Sequence, residues 1–361
     1  MTKTTPKPRA RELGLPFSGT PGPLNAITDV PGVEVGFCTL TDPAQDLRTG
    51  VTAILPRGKT AGAVPVWAGH YALNGNGEMT GTHWIDDAGY FLGPILISNT
   101  HAIGACHTAA VQWMIETYAA HFQNEHAWAM PVVAETYDGV LNDINRLSVT
   151  PDHGLQALAN ATTGPVAEGS TGGGNGMICY EFKGGTGTAS RQVEVGGTWT
   201  VAALVQANFG IRPWLNILGQ PIGQMMRDDR LLEQESGSII VIIATDAPLS
   251  ALSLKALAKR AALGIGRSGT AGGNNSGDIF LAFSTANPQP LSPQADVMRT
   301  ATELKTEHLD PLYLATVEAV DEAVINALVA GEDVPTVKPR GATCRAIDCT
   351  KLAEIFAPDA P

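Results

Sequence analysis

The chain has 361 residues and a net charge of −12, with 35 acidic against 23 basic side chains and a sequence pI near 5.1. This acidity argues against a nucleic-acid backbone or an anionic membrane as a partner, because both are themselves negatively charged. Hydrophobic residues make up 44 % and charged residues 16 % of the chain, as is usual in soluble globular proteins. The sequence contains no run of about 18 apolar residues, so no membrane-spanning helix is predicted.

The N-terminal segment 1–17 is polar and basic and lacks the apolar stretch of a secretory signal. We therefore expect a mature start and a cytoplasmic location.

The five cysteines are odd in number and scattered, which favours reduced, buried thiols over a disulfide framework. Cys344 and Cys349 lie close in sequence without a second pair, and the eight histidines show no metal-ligand spacing, so we expect no metal site.

In the N-terminal half, short apolar runs bounded by Gly or Pro predict strands, and apolar residues at helical spacing predict helices. A strand and turn are expected over 24–33, and buried strands over 51–55 and 95–98. A helix is expected over 105–122, and Thr150 before a proline predicts the capped start of another.

In the C-terminal half, segments rich in Val, Ile and Ala predict central strands over 200–208, 238–245 and 279–284. Ser250 is expected to cap a helix that ends at Gly264, and a final amphipathic helix is expected to end at Gly331. Strands thus alternate with helices, and no linker, low-complexity segment or internal repeat divides the chain. We expect one domain, 1–361, with helices packed on sheet layers.

Glycines collect in three runs, 169–176, 183–187 and 264–273. Such runs can cradle a phosphate through backbone N–H groups. None of them matches a P-loop or a dinucleotide fingerprint, so tight turns and close backbone approach are favoured.

The third glycine run leads into a polar cluster around Asn275 and Ser276, which is followed at once by an apolar strand. Glycines on both sides would let the Asn275–Ser276 peptide bond bend out of its relaxed conformation. The same pattern also suits an ordinary hairpin entry. The residues alone leave both interpretations open.

The segment 272–287 nevertheless resembles the cleavage-site block of the DmpA-type aminopeptidases, a family that includes the β-peptidyl aminopeptidases. Other blocks resemble the same family in the same order, so that the resemblance covers roughly residues 20 to 330. These blocks are 24–35, 131–139, 206–210 and 316–319.

The resemblance implies an αββα sandwich, similar in outline to other N-terminal-nucleophile hydrolases but connected differently. It implies one precursor cut at Asn275–Ser276 into chains 1–275 and 276–361, which stay together. It also implies assembly of several such heterodimers, typically four, and no metal or organic cofactor. The expected substrate is a small peptide or amide.

In the implied mechanism, Ser276 Oγ attacks the Asn275 carbonyl, and water resolves the resulting ester. The freed Ser276 then carries an α-amine beside its own hydroxyl. Such an amine titrates at about 7.7–8.0 and can act as the base that activates the hydroxyl. No histidine is needed, which agrees with the lack of a Gly-x-Ser-x-Gly, Ser-x-x-Lys or His-Glu-x-x-His motif.

The resemblance implies that Thr316 supplies the hydroxyl and Glu318 the carboxylate that orient Ser276 and its amine. The family often has Ser at the position of Thr316, which keeps the hydroxyl. Residues two apart do not share a face of a regular helix, so both can serve only at or just before a helix start. The alternative is that Thr316 caps that helix.

Three further roles follow from the same resemblance. Asn208, at a strand end, is expected to donate to the oxyanion, with a turn-forming Asn as the alternative. Tyr137 is expected to be a second donor or a pocket wall. Glu135 is expected to bind the free ammonium of the substrate, with a solvated loop Glu as the alternative.

The leading hypothesis is therefore an aminopeptidase for short peptides, amides or esters with a free N-terminal amine. No motif selects among β-, D- and L-amino residues. A second hypothesis is acyl transfer of the ornithine acetyltransferase type, although that family uses Thr as its nucleophile. A third is an uncleaved protein that binds a small ligand without turnover.

Overall fold

Fourteen strands and eight α-helices alternate along residues 7–235, 237–289 and 298–357, which the computed structural model describes. The strands are β1 Glu34–Asp42, β2 Leu47–Leu55, β3 Val66–Ala72, β4 Tyr90–Phe91, β5 Ile95–Asn99, β6 Val132–Thr136, β7 Ile178–Cys179, β8 Phe182–Lys183, β9 Gly185–Glu194, β10 Thr198–Asn208, β11 Ser238–Thr245, β12 Asp278–Ser284, β13 Val334–Pro335 and β14 Thr343–Cys344. The helices are α1 Thr82–Ala88, α2 Ile103–Thr117, α3 Ala119–Asn124, α4 Pro151–Ala159, α5 Ile222–Met225, α6 Ala251–Arg267, α7 Asp310–Val329 and α8 Cys349–Ile355.

Most strands belong to two sheets. The smaller has the order β1-β2-β5-β6 and is antiparallel except for the β5–β6 pair. The larger has the order β4-β3-β12-β11-β10-β9 and is antiparallel except for the central β11–β12 pair. The remaining strands form two short hairpins, β7–β8 and β13–β14.

The two sheets stack face to face between two helical layers. Along β11, Ile240 and Ile242 point toward the smaller sheet, whereas Ile239, Val241 and Ile243 point toward α6 and α7, as the period of two in a strand requires. Helices α2 and α4 cover the outer face of the smaller sheet. The order of layers is αββα, as the resemblance implies.

Several predicted elements are confirmed, some of them with shifted ends. The strand over 238–245 has the predicted bounds, and Ser250 caps α6 through the Ser253 amide. Helix α6 continues past Gly264 to Arg267 because Gly264 lies inside the helix, where it allows close contact with Val320 of α7. The predicted helix over 105–122 is two helices, α2 and α3, and the segment 24–33 holds a 3₁₀ turn in place of a strand.

The first glycine run permits close contact between backbones. Residues Gly172–Gly176 form a buried 3₁₀ segment packed against β2 and β9. A Cβ on Gly174 would lie 2.3 Å from the Thr186 nitrogen, and one on Gly173 would lie 2.6 Å from the Ile97 carbonyl oxygen. This run therefore serves packing, as favoured from sequence, and its burial leaves no room for a phosphate.

Among the helices within the described ranges, none combines the length and apolarity needed to cross a bilayer. The five cysteines are free, and four of them are buried.

Candidate active site

Three strand termini lie side by side at one end of the larger sheet. Strand β10 ends at Asn208, which pairs with Ser238, the first residue of β11. Strand β12 begins next to β11, with Asp278 opposite Ile239. Because β11 and β12 are parallel, both begin at this end of the sheet. The polar cluster around Ser276 therefore lies beside Ser238.

Ser276 lies two residues before the start of β12 and is fully buried. Its hydroxyl donates to Oδ1 of Asp278 at 2.5 Å, and its amide donates to the Gly273 carbonyl at 3.0 Å. Asn274 and Asn275 form a turn, in which the Asn275 carbonyl accepts from Nδ2 of Asn76 at 2.8 Å.

Within 272–278, only Gly272 has a positive φ. The local geometry is that of a turn entering a strand, without left-handed strain at the predicted Asn275–Ser276 bond. The hairpin entry that the residues left open is not present either, because β12 follows α6 and pairs in parallel with β11.

Asp278 is a buried carboxylate held from two sides. Besides Ser276, it accepts from Nδ2 of Asn74 at 2.9 Å, and its own amide donates to the Asn74 side-chain oxygen at 2.6 Å. Burial raises the pKa of Asp278, and the hydrogen bonds from Ser276 and Asn74 oppose that rise. Ser276 and Asp278 thus form a hydroxyl–carboxylate pair separated by one residue.

Ser238 is a site residue that sequence reasoning treated only as the start of a central strand. Its Oγ accepts from the Gly277 amide at 3.0 Å, between Ser276 and Asp278. Its partner across the sheet is Asn208, so the two Cα atoms lie about 5 Å apart. A Gly-Ser pair at the entrance to an apolar strand is the signal that could have identified it.

Gly237 precedes Ser238 and can only be glycine. A Cβ at this position would lie 1.9 Å from the backbone oxygen of Asn208. The residue also borders a small cavity that is partly open to solvent. The cavity is lined by Tyr137, Val140, Gly176, Ile178, Asn208, Phe209, Gly210, Leu232 and Gly237.

The Asn208 side chain is buried and uses both ends of its amide. Its oxygen accepts from the Ile178 amide at 2.8 Å, and its Nδ2 donates to the Tyr137 carbonyl at 2.9 Å. These bonds rule out the turn-forming alternative, and they leave one Nδ2 hydrogen for a ligand. Tyr137 is 38 % exposed and lies at the cavity wall, with its ring against Gly139.

Glu135 lies in β6 and is only 4 % exposed, so the solvated-loop alternative is wrong. One carboxylate oxygen accepts from the Glu78 amide at 3.0 Å, and the other accepts from the Thr100 hydroxyl. Burial raises the pKa of Glu135 against these hydrogen bonds. Gly77 lies close to both Glu135 and Gly277, and the Gly277 amide in turn binds the Ser238 hydroxyl.

Thr316 and Glu318 do not reach this site, contrary to the prediction. Thr316 is the seventh residue of α7, and its hydroxyl donates to the Leu312 carbonyl at 2.8 Å, so it is neither before nor at the helix start. Glu318 pairs with Arg191 at 3.3 Å.

Arg191 lies near the opposite end of the sheet. It lies opposite Val201, seven residues along β10 from Asn208, or about 23 Å at the usual rise of a strand. The carboxylate of Glu318 therefore belongs to a different part of the molecule, and the prediction that this pair orients Ser276 is wrong.

No three His, Cys, Asp or Glu side chains come together as a metal site would require, within the part of the chain that the structure describes. What the strand ends bring together is two serine hydroxyls, a buried carboxylate, a side-chain amide and a cavity. Such groups can support acyl transfer to a hydroxyl.

Comparison with protein families gives a match to the model described as Peptidase family S58, over residues 25–341. A curated relative, the beta-peptidyl aminopeptidase BapA of Sphingosinicella microcystinivorans, is 49 % identical over an alignment of 353 residues, and the match covers 91 % of this chain and 87 % of the relative.

Two solved structures are similar throughout. One is the L-aminopeptidase D-Ala-esterase/amidase of Ochrobactrum anthropi, described as a prototype for the serine aminopeptidases and a new variant of the Ntn hydrolase fold. It has a TM-score of 0.91 and 55 % identity, covering 96 % of this chain and 97 % of that one. The other is a beta-aminopeptidase of Burkholderia sp., with a TM-score of 0.88 and 46 % identity, covering 98 % and 100 %.

Proposed function

Because the chain belongs to peptidase family S58, it is a serine aminopeptidase of the N-terminal-nucleophile type, and we propose that its nucleophile is Ser238, released by cleavage of Gly237–Ser238. The observation that carries this proposal is the position of Ser238 between Asn208 and the Ser276–Asp278 pair, beside the cavity. The relatives found are aminopeptidases, so the acyltransferase alternative gains no support from them.

The choice between Ser238 and the predicted Ser276 depends on the orienting pair. The family resemblance calls for a hydroxyl and a carboxylate two residues apart, beside the nucleophile. Ser276 and Asp278 have this spacing and are hydrogen-bonded to each other, whereas Thr316 and Glu318 lie at the far end of the sheet. If Ser276 belongs to the orienting pair, the nucleophile is another hydroxyl.

In the proposed self-cleavage, Ser238 Oγ attacks the Gly237 carbonyl carbon, and the peptide nitrogen leaves as the α-amine of Ser238. Water then hydrolyses the ester, which restores the hydroxyl and leaves Gly237 with a free carboxylate. The products are chains 1–237 and 238–361, in place of 1–275 and 276–361. The absence of a Cβ on Gly237 keeps the attacked carbonyl accessible.

In turnover, the α-amine of Ser238 takes the hydroxyl proton and later returns it to the leaving group. Asp278 and Ser276 hold that amine, and Asn208 donates its remaining amide hydrogen to the oxyanion, with Tyr137 beside it. Glu135 binds the ammonium of the substrate. We assign each of these roles around Ser238 rather than around Ser276.

We extend the proposal to substrates and assembly. Relatives named β-peptidyl aminopeptidase and beta-aminopeptidase support short peptides and amides with an N-terminal β-amino residue as substrates. The apolar cavity side chains Val140, Ile178 and Leu232 favour small apolar substituents on that residue. A tetramer of processed heterodimers, which rests on the family resemblance, and a cytoplasmic location complete the proposal.

The cleavage proposal is tested by intact mass and N-terminal sequencing of freshly purified wild type, Ser238→Ala and Ser276→Ala. We expect wild-type chains of about 25 and 13 kDa, in proportion to the 37.7 kDa of the whole, with the smaller starting at Ser238, and an intact Ser238→Ala chain. We expect Ser276→Ala to cleave slowly at the same bond. Chains of about 29 and 9 kDa, with the smaller starting at Ser276, would restore the original prediction and refute this one.

A further inference from the structure

Glu235 is a buried carboxylate three residues before Ser238, and the mechanism above does not use it. One of its oxygens accepts from the Gly210 amide at 3.0 Å and from the Thr270 hydroxyl at 3.2 Å. The other accepts from the Gly273 amide at 3.1 Å. A single side chain therefore collects three donors, none of them from its own segment.

These donors belong to two segments that flank the proposed scissile bond. Gly210 follows the end of β10, two residues beyond Asn208, whose carbonyl packs against Gly237. Thr270 and Gly273 belong to the loop that leads into Ser276 and Asp278. Glu235 thus ties the segment before Ser238 to the strand that carries the oxyanion donor and to the loop that carries the orienting pair.

The contact with Gly273 is close and specific. A Cβ on Gly273 would lie 2.2 Å from Oε2 of Glu235, so the loop approaches the carboxylate through bare backbone. A charged acceptor forms stronger and more directional hydrogen bonds than a neutral one. Glu235, which lies just before the proposed cleavage site, therefore helps to fix the conformation of the loop that leads to Ser276.

We propose that Glu235 is a positioning residue for self-cleavage, which aligns the Gly237 carbonyl with Ser238 and with the Ser276–Asp278 pair by holding Gly210, Thr270 and Gly273. This inference rests on cleavage at Gly237–Ser238. It assigns Glu235 no contact with the reacting atoms.

The test measures how fast the full-length chain, made by cell-free synthesis, converts into two chains, by intact mass against time. Glu235→Gln keeps the shape of the side chain but replaces one acceptor oxygen with an NH₂ group. We expect it to cleave at least about tenfold more slowly, as fits the loss of a hydrogen bond to a charged group. Thr270→Val removes one of the three donors, and we expect a smaller slowing of about threefold.

Glu233→Gln is the matched control, because Glu233 is exposed and two residues away, and it should cleave at the wild-type rate. Stability is compared in the uncleavable Ser238→Ala background, where adding Glu235→Gln should leave the melting temperature nearly unchanged. A wild-type cleavage rate for Glu235→Gln overturns the inference. Unfolding of the double variant assigns Glu235 a merely structural role and also overturns it. Cleavage of Ser238→Ala would instead refute the proposed function.

Discussion

At the scale of single residues, the carboxylates of this protein are distinguished by what they contact. Glu318 forms an ion pair with Arg191, whereas Asp278 accepts hydrogen bonds from Ser276 and Asn74. Glu135 accepts only from an amide and a hydroxyl and has no cation within ion-pair distance among the described residues. A buried carboxylate without a counter-ion is suited to receive the ammonium of a substrate.

Glu135→Gln should therefore lower kcat/KM for substrates with a free amine by about 30-fold or more, because a buried partner of the ammonium loses its charge. Steady-state kinetics on a β-amino amide checks this. Self-cleavage should proceed as in wild type, because the precursor offers no free amine there. Glu78→Gln, which alters an exposed neighbour, should change kcat/KM little. An unchanged kcat/KM in Glu135→Gln would remove Glu135 from the substrate site.

At the scale of elements, the contact between α6 and α7 depends on one glycine. Gly264 of α6 is buried, and a Cβ there would lie 2.6 Å from the Val320 Cβ of α7. Gly266 lies two residues further on the exposed side of the same helix, with open space around it. The two positions share a backbone conformation and differ in what lies beside them.

Gly264→Ala should lower the free energy of unfolding by about 1–3 kcal/mol, because the new methyl group forces α6 and α7 apart. Gly266→Ala should instead raise it by up to about 1 kcal/mol, since alanine favours the helix. Denaturant unfolding of both variants in the Ser238→Ala background measures the difference without interference from cleavage. Equal effects at the two positions would contradict the close contact.

At the scale of the whole molecule, the proposed cut divides the larger sheet between two chains. Strands β11 and β12 would belong to chain 238–361, and they are flanked by β10 on one side and β3 on the other, both from chain 1–237. Backbone hydrogen bonds therefore cross between the chains along both edges of this pair. Separation of the chains would require the sheet to come apart.

The processed chains should consequently co-elute in native size-exclusion chromatography and separate only in denaturant. Uncleaved Ser238→Ala should elute at the same volume, because cleavage leaves the sheet intact. Native mass spectrometry of the same samples reports the number of heterodimers in the assembly, which the proposal sets at four. Elution of the smaller chain alone under native conditions would contradict the shared sheet.

The sequence by itself determined the central strands and the main helices, because apolar periodicity, glycine positions and caps are properties of neighbouring residues. It also indicated the layer order, through several blocks of family resemblance along the chain. Residues Ser238–Thr245 and the Ser250 cap were predicted because all their signals lie within a few positions of one another.

Only the tertiary structure decided which side chains meet at the site. The partner of Glu318 is Arg191, 127 positions away, and no local pattern reports such a pairing. Ser238 lies beside Ser276 because β11 and β12 run parallel with a fixed register, although α6 separates them in sequence. Proximity of this kind arises when remote segments bury their apolar faces together, and a pattern of neighbouring residues does not encode it.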